Sequence, residues 1–302
     1  MDTKFMDGLK QTLTTEKLSQ KTIEMYLIKL RILNDNRPFD SLAFLKQKAT
    51  IKTKLEGIAN DNTRKSYVAS IVAILNRQKG KVYEALNNHY RVLFAKERSI
   101  FAEKPTNEKS ETQKENWLSW DEVKAVFDKL KVKAEDAAKK PRLSNADRKV
   151  IENYMILALY VLQPPRRNDW YYTVIGKGDD DKKNYVDISE GKYYFNNFKT
   201  AKSAGKEVID VPDEMMPVLK WYIKNMNLNE GDYLLFPDDD VRTNSNRMTK
   251  SLNSILGKKV GASMLRHIYL SNKYGKVLNE QEEDANFMAH SVGTAKTYIK
   301  DD

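Results

Sequence analysis

Apolar residues recur at helical spacing through the first hundred positions. After Ser19, a good N-cap, Ile23, Tyr26, Leu27, Leu30 and Leu33 fall on one helical face. Asn34 to Pro38 breaks the pattern. Ser41 to Gly57 carries a second helical stretch, less regular at its centre. Asp61 or Asn62 can cap a third, with Tyr67, Ile71, Ile74 and Leu75 inward, and Val82 to Ala102 predicts a fourth around Tyr83, Leu86, Tyr90 and Phe94. Residues 1–102 are thus predicted to form a small helical domain. The polar segment 103–116 contains Pro105, lacks periodicity and reads as a linker. Ser119, with Glu122 three residues on, forms a capping box for a helix striped by Val123, Val126, Phe127 and Leu130. Lys131 to Asp147 reads as a charged connection, and Val150 to Leu162 as a buried helix.

The period then changes. Tyr185 to Ile188, Tyr193 to Phe198 and Glu207 to Val211 read as three short strands with turns between them. Helical spacing returns from Pro212 to Met226. The expected fold is mainly α: a helical domain, then a second domain over residues 117–302 that is helical with a small three-stranded antiparallel sheet inserted.

Composition narrows the partners. The chain of 302 residues carries a net charge of +10 and no cysteine. Disulfides and thiolate metal sites are therefore excluded. Basic surface gains affinity for a polyanion by releasing counterions, so a nucleic acid is the expected partner; a solvated lysine-rich surface is the alternative. No apolar run reaches the length of a membrane span, and Met1 to Lys10 lacks the apolar core of a signal peptide. An intracellular location is expected.

Five polar residues then appear in an order that suits a phosphodiester. Arg166 follows two prolines that stop the buried helix and fix the backbone, and Asp169 three residues later can orient its guanidinium. Fixed arginine forks hold two phosphate oxygens at once. Lys199 lies in the turn between the second and third predicted strands, where it can project to a leaving oxygen. Arg266 and His267 lie on a predicted helix whose Met264, Leu265 and Ile268 can face a core. His290 ends an apolar segment, and Tyr298 follows eight residues later. Taken singly, each reads better, or nearly so, as a decorated helix end, a solvated hairpin or ordinary packing.

Together, these residues resemble the catalytic domain of the tyrosine recombinases, the phage-integrase family. Arg166 with Asp169, Lys199 in a hairpin turn, the Leu265-Arg266-His267 box, the His290-Ser291 pair and Tyr298 each match a motif of that family. Ser19 to Ile23 and the helices around it resemble the family's core-binding domain, so the resemblance covers nearly the whole chain. The Pro-Pro-Arg-Arg-Asn-Asp string is most similar to versions from viruses and mobile elements of eukaryotic hosts. The resemblance implies a site-specific recombinase that binds double-stranded DNA and cuts and rejoins it through a 3′-phosphotyrosine, with no metal and no cofactor, acting as a tetramer on synapsed DNA. Arg166, Lys199, Arg266, His290 and Tyr298 would be catalytic, and Asp169, Ser263 and His267 supporting. Three departures stand out. Ser263 occupies a position usually held by histidine or lysine. The His290 to Tyr298 interval is one residue shorter than is common. Only four residues follow Tyr298, where many relatives carry a longer tail.

Other readings remain. A type IB topoisomerase uses similar chemistry to relax DNA. A non-enzymatic DNA-binding protein explains the charge but not the ordered residues. A metal nuclease would need frames that the acidic runs Asp179 to Asp181 and Asp238 to Asp240 lack, so these read as loops, and Gly176-Lys177-Gly178 reads as a turn.

Overall fold

In the computed structural model, which describes residues 2–16, 18–102, 108–178, 180–238, 246–289 and 291–295, the chain divides into two units, Met1–Glu108 and Lys109–Asp302. Each has its own buried core.

The described residues of the first unit form helices joined by turns. It contains α1 (Lys4–Thr15), α2 (Gln20–Leu33), a short 3-10 turn (Ala43–Lys46), α3 (Lys48–Glu56), α4 (Asp61–Leu75) and α5 (Lys81–Ala102). Ser19 caps α2 through the Thr22 N–H, as its sequence predicts. Asn60, one residue before the expected cap, accepts from the Thr63 N–H and starts α4. The irregular centre of the second stretch is a real break, the 3-10 turn giving way to α3 at Gln47. α1 has no counterpart in the sequence expectations. Thr3 caps it, and Met6, Leu9 and Leu13 bury its inner face. α4 and α5 form the main packed pair, and α2 lies against α4. Tyr90 is buried among these helices and donates its hydroxyl to the Leu45 carbonyl at 2.7 Å.

The second unit begins inside the segment expected to be linker. Ser110 and Gln113 form a capping box for α6 (Glu111–Asn116). Asn116 is buried, and its Oδ1 accepts from the Lys259 N–H at 3.0 Å. The helix is short and polar, so it offers no apolar period to detect. α7 (Trp120–Ala138) has the predicted Ser119–Glu122 box but runs eight residues beyond the expected end. Its last two turns face the core with Ala134 and Ala137, small residues that make a faint stripe. α8 (Asn145–Val161) is the centre of the unit, packed against α7 and two later helices, α10 (Met215–Met226) and α11 (Asn246–Leu256). Contact on several sides is why residues 154–160 are all buried and read as one apolar run. α12 (Ala262–Phe287) and α13 (Val292–Ala295) complete the helices, with a single turn, α9 (Ala201–Ala204), within the sheet region. The unit is thus mainly helical.

The sheet has four strands and is mixed, which corrects the expected three antiparallel strands. β1 (Thr173–Ile175) pairs in parallel with β2 (Asn184–Asp187), which pairs antiparallel with β3 (Lys192–Phe195), and β3 in turn pairs antiparallel with β4 (Glu207–Asp210). β1 is three residues long and directly follows a 3-10 turn (Asn168–Tyr172), too short to show a period of two. Trp170 fills the face beneath β3, its indole edge-on to Tyr193 at 4.9 Å and to Phe195 at 5.2 Å. Gly178 turns the chain between β1 and β2 at φ +84°. A Cβ there would meet the Tyr194 ring at 2.9 Å, so this position in the Gly-Lys-Gly turn requires glycine.

Candidate active site

Arg166 is the best-defined member of the candidate set. α8 ends at Val161 with Leu162 as its C-cap, and buried Gln163 donates its side-chain amide to the Leu159 carbonyl at 3.2 Å. The prolines then carry the chain away. Tyr160 donates its hydroxyl to the Arg167 carbonyl at 3.3 Å, tying the segment back onto the helix. Burial holds that phenol well above its ordinary range, so it remains a neutral donor.

The guanidinium of Arg166 lies over the Phe195 ring at 3.7 Å, with the Phe198 ring at 5.6 Å. Its Nη1 donates to Glu207 Oε2 at 2.9 Å, and its Nε faces Asp169 Oδ2 at 3.6 Å. Stacking and flanking carboxylates fix the plane of the fork. Asp169 is thus an ion-pair neighbour of the fork, although Nε itself makes no hydrogen bond. Burial raises its pKa, an effect opposed by the charges of Arg166 and Arg167. Its backbone carbonyl also accepts from Asn184 Nδ2 at 3.2 Å, which couples the arginine segment to β2.

Glu207 is the partner that the sequence did not single out. It lies 41 residues from Arg166 and reaches it because β3 and β4 pair Phe195 with Glu207. Cross-strand partners present their side chains to the same face, so an arginine stacked on Phe195 meets the Glu207 carboxylate. The available signal was a charged residue opening a strand after a lysine-rich turn, which is too common to choose.

Lys199 is exposed and lies, as expected, between the strands flanking it, β3 and β4. The connection is not a tight hairpin turn, however. It spans residues 196–206 and contains α9. Phe198, next to Lys199, is the second ring near Arg166, so this turn passes close to the guanidinium. Arg266 is half-buried on α12, between buried Leu265 and Ile268, and His267 and Ser263 are exposed. Trp120 packs edge-on to Tyr269 at 5.4 Å and holds this part of α12 against the start of α7. His290 and Tyr298 lie outside the described residues.

Among the described residues no group of three or more His, Asp or Glu is placed to hold a metal ion. Of the acidic runs, Asp181 pairs with Lys206 and Asp180 Oδ1 accepts from the Lys182 N–H at 2.8 Å; Asp179, Asp239 and Asp240 are outside the described residues. No described helix is long and apolar enough to cross a membrane.

A scan against protein-family models finds no match, and searches of curated proteins and of solved structures find no significant similarity. The geometry and the residue pattern are therefore what any functional reading stands on.

Proposed function

We propose that this chain is a DNA strand transferase of the tyrosine-recombinase kind. The observation that carries the reading is the Arg166 cradle: a guanidinium fixed on Phe195 and held by two carboxylates, one of them the acidic residue three positions on. An oriented fork of this kind suits a phosphodiester, and the lysine-bearing turn runs beside it. The charge of +10 supports a polyanionic partner.

In this reading Arg166 and Arg266 bind the non-bridging oxygens of the scissile phosphate and stabilise charge in the pentavalent transition state. His290 adds a hydrogen bond to the same phosphoryl group. Tyr298 gives up its phenolic proton to water and attacks phosphorus, and the 5′ oxygen leaves, taking a proton from Lys199. The product is a 3′-phosphotyrosine ester and a free 5′ hydroxyl. Attack by a second strand's 5′ hydroxyl reverses the step, so the ester conserves the bond energy. Exchange between two duplexes would need several copies of the chain on DNA.

The decisive experiment is incubation with a suicide duplex whose cleaved 5′ fragment diffuses away. Wild type is expected to give an SDS-stable protein–DNA adduct and Tyr298→Phe none. An adduct that persists in Tyr298→Phe removes the tyrosine from the mechanism. No adduct from wild type on any suicide duplex removes the strand-transfer reading.

A further inference from the structure

Thr173, Asn184, Phe195 and Glu207 lie opposite one another on the four strands and form a single row across the sheet. Neighbours in such a row present their side chains to one face. Phe195 and Glu207 hold the Arg166 guanidinium. The other two hold the backbone of the same segment. Thr173 Oγ1 donates to the Asp169 carbonyl at 3.3 Å, and Asn184 Nδ2 donates to that carbonyl at 3.2 Å.

Asn184 is fully buried and makes two further bonds. Its Nδ2 also donates to the Asn197 carbonyl at 2.9 Å, and its Oδ1 accepts from the Asn197 N–H at 2.8 Å. Asn197 lies at the start of the lysine-bearing connection, two residues before Lys199. One side-chain amide thus joins the arginine segment, 15 positions before it, to the lysine-bearing connection, 13 positions after it. Two carbonyls need two donors and an N–H needs an acceptor. Among side chains of this length only asparagine offers all three; serine has one donor and a carboxylate none. Two other amides hold the same connection, but from the side. Asn196 Nδ2 donates to the Asp180 carbonyl at 3.3 Å and Asn197 Nδ2 to the Lys182 carbonyl at 2.9 Å. Those bonds reach the β1–β2 connection and not the arginine segment.

We propose that Asn184 is a positioning residue for strand cleavage, setting the place of Lys199 relative to Arg166 by bonding Asp169 and Asn197 at once. The role rests on the strand-transfer reading of the site. In that reading the arginine holds the phosphate and the lysine protonates the 5′ oxygen that leaves it, so the spacing of the two groups governs the proton transfer. Displacing a catalytic group by ~1 Å can cost roughly 100-fold in rate. Without the Asn184 amide, Asp169 keeps the bond from Thr173, whereas both backbone groups of Asn197 lose theirs. The defect therefore falls on the lysine.

The test compares an ordinary suicide duplex with one carrying sulfur at the 5′ bridging position, whose thiolate leaves without a proton. Asn184→Ala is expected to cleave the ordinary duplex roughly 30-fold more slowly than wild type, and the sulfur duplex within about 3-fold of it. Combined with Lys199→Ala, it is expected to be no slower than Lys199→Ala alone, because both act through one proton transfer. Asn184→Asp keeps the size and the acceptor but loses the donors. It is expected to show the same dependence on the leaving group, and it serves if the alanine variant does not fold. Hydrogen exchange across residues 196–199 is expected to quicken in either variant, a readout that needs no activity. The proposal is overturned if the variants cleave the ordinary duplex like wild type, or stay slow on the sulfur duplex. It is equally overturned if they multiply the Lys199→Ala defect, or leave exchange across 196–199 unchanged. Any of these with an active wild type removes only the role of Asn184. A wild type that forms no adduct on either duplex removes the strand-transfer reading and this role with it.

Discussion

Glu207→Gln is expected to tighten DNA binding while loosening the protein. Glu207 holds Arg166 Nη1 at 2.9 Å, where a phosphate oxygen would sit in the proposed clamp. The two side chains are 21% and 36% exposed, so water screens much of the attraction. A pair of this kind contributes about 1 kcal/mol, the upper end of the range for solvent-accessible ion pairs. Glutamine keeps the shape and removes the charge. The folded state then loses about 1 kcal/mol, a fall of ~2–4 °C in Tm for a unit of this size. A phosphate no longer has to displace a carboxylate, so affinity for a short duplex rises about 5-fold. Anisotropy titrations at two salt concentrations measure this. Any long-range gain from deleting one negative charge fades beyond a Debye length of about 8 Å at physiological salt, whereas relief of direct competition persists. Asp181→Asn is the control, because Asp181 pairs with neighbouring Lys206 rather than with Arg166. It is expected to change affinity by less than about 2-fold, in line with screening of an exposed charge. If Glu207→Gln lowers Tm as described but leaves affinity unchanged, Arg166 does not exchange its carboxylate for phosphate and the clamp assignment fails.

Lys199→Ala is expected to slow cleavage of an ordinary substrate by roughly 100-fold or more, and a substrate with a good 5′ leaving group should restore the rate; absence of rescue removes the general-acid role. Asp147 is held down to about 2 by hydrogen bonds from the Lys140 ammonium, at 2.5 Å, and from Ser144. Its folded pKa is depressed, so its contribution is complete above the unfolded value of about 4 and is lost as pH falls toward 2. Asp147→Asn should therefore lower Tm at pH 7 and shrink the loss of stability between pH 4 and 2; a parallel offset of the two pH curves would contradict this. Buried Glu152 accepts from the Phe236 N–H at 2.6 Å, where the chain adopts φ +52°. Glu152→Ala leaves that buried donor without its carboxylate and should cost about 2–3 kcal/mol, read as a lower urea midpoint at unchanged slope. A shift under about 0.5 kcal/mol would mean that the donor finds another acceptor.

What could be read from the chain was whatever a short window encodes. Ser19 and Ser119 cap the helices they were expected to cap, because a cap is a matter of three or four consecutive residues. α8 was visible because contact on several sides makes its sequence continuously apolar. The extension of α7 was hidden because its core-facing residues are alanines. α1 is legible in the sequence, since Thr3 followed by Met6, Leu9 and Leu13 is a cap and a stripe. The Arg166–Asp169 relation could be read because three positions along the chain place the two groups side by side. The Arg166–Glu207 relation could not, because it exists only through strand register. Phe195 is opposite Glu207, and Tyr194 is opposite Val208, which is 57% exposed. A slip of one residue between β3 and β4 would put valine or lysine opposite the phenylalanine that carries the guanidinium. Arg166 would then have lost the carboxylate that competes with phosphate. The electrostatics of the proposed clamp are thus set by the pairing of two four-residue strands, information held in the whole sheet rather than in any segment of the sequence.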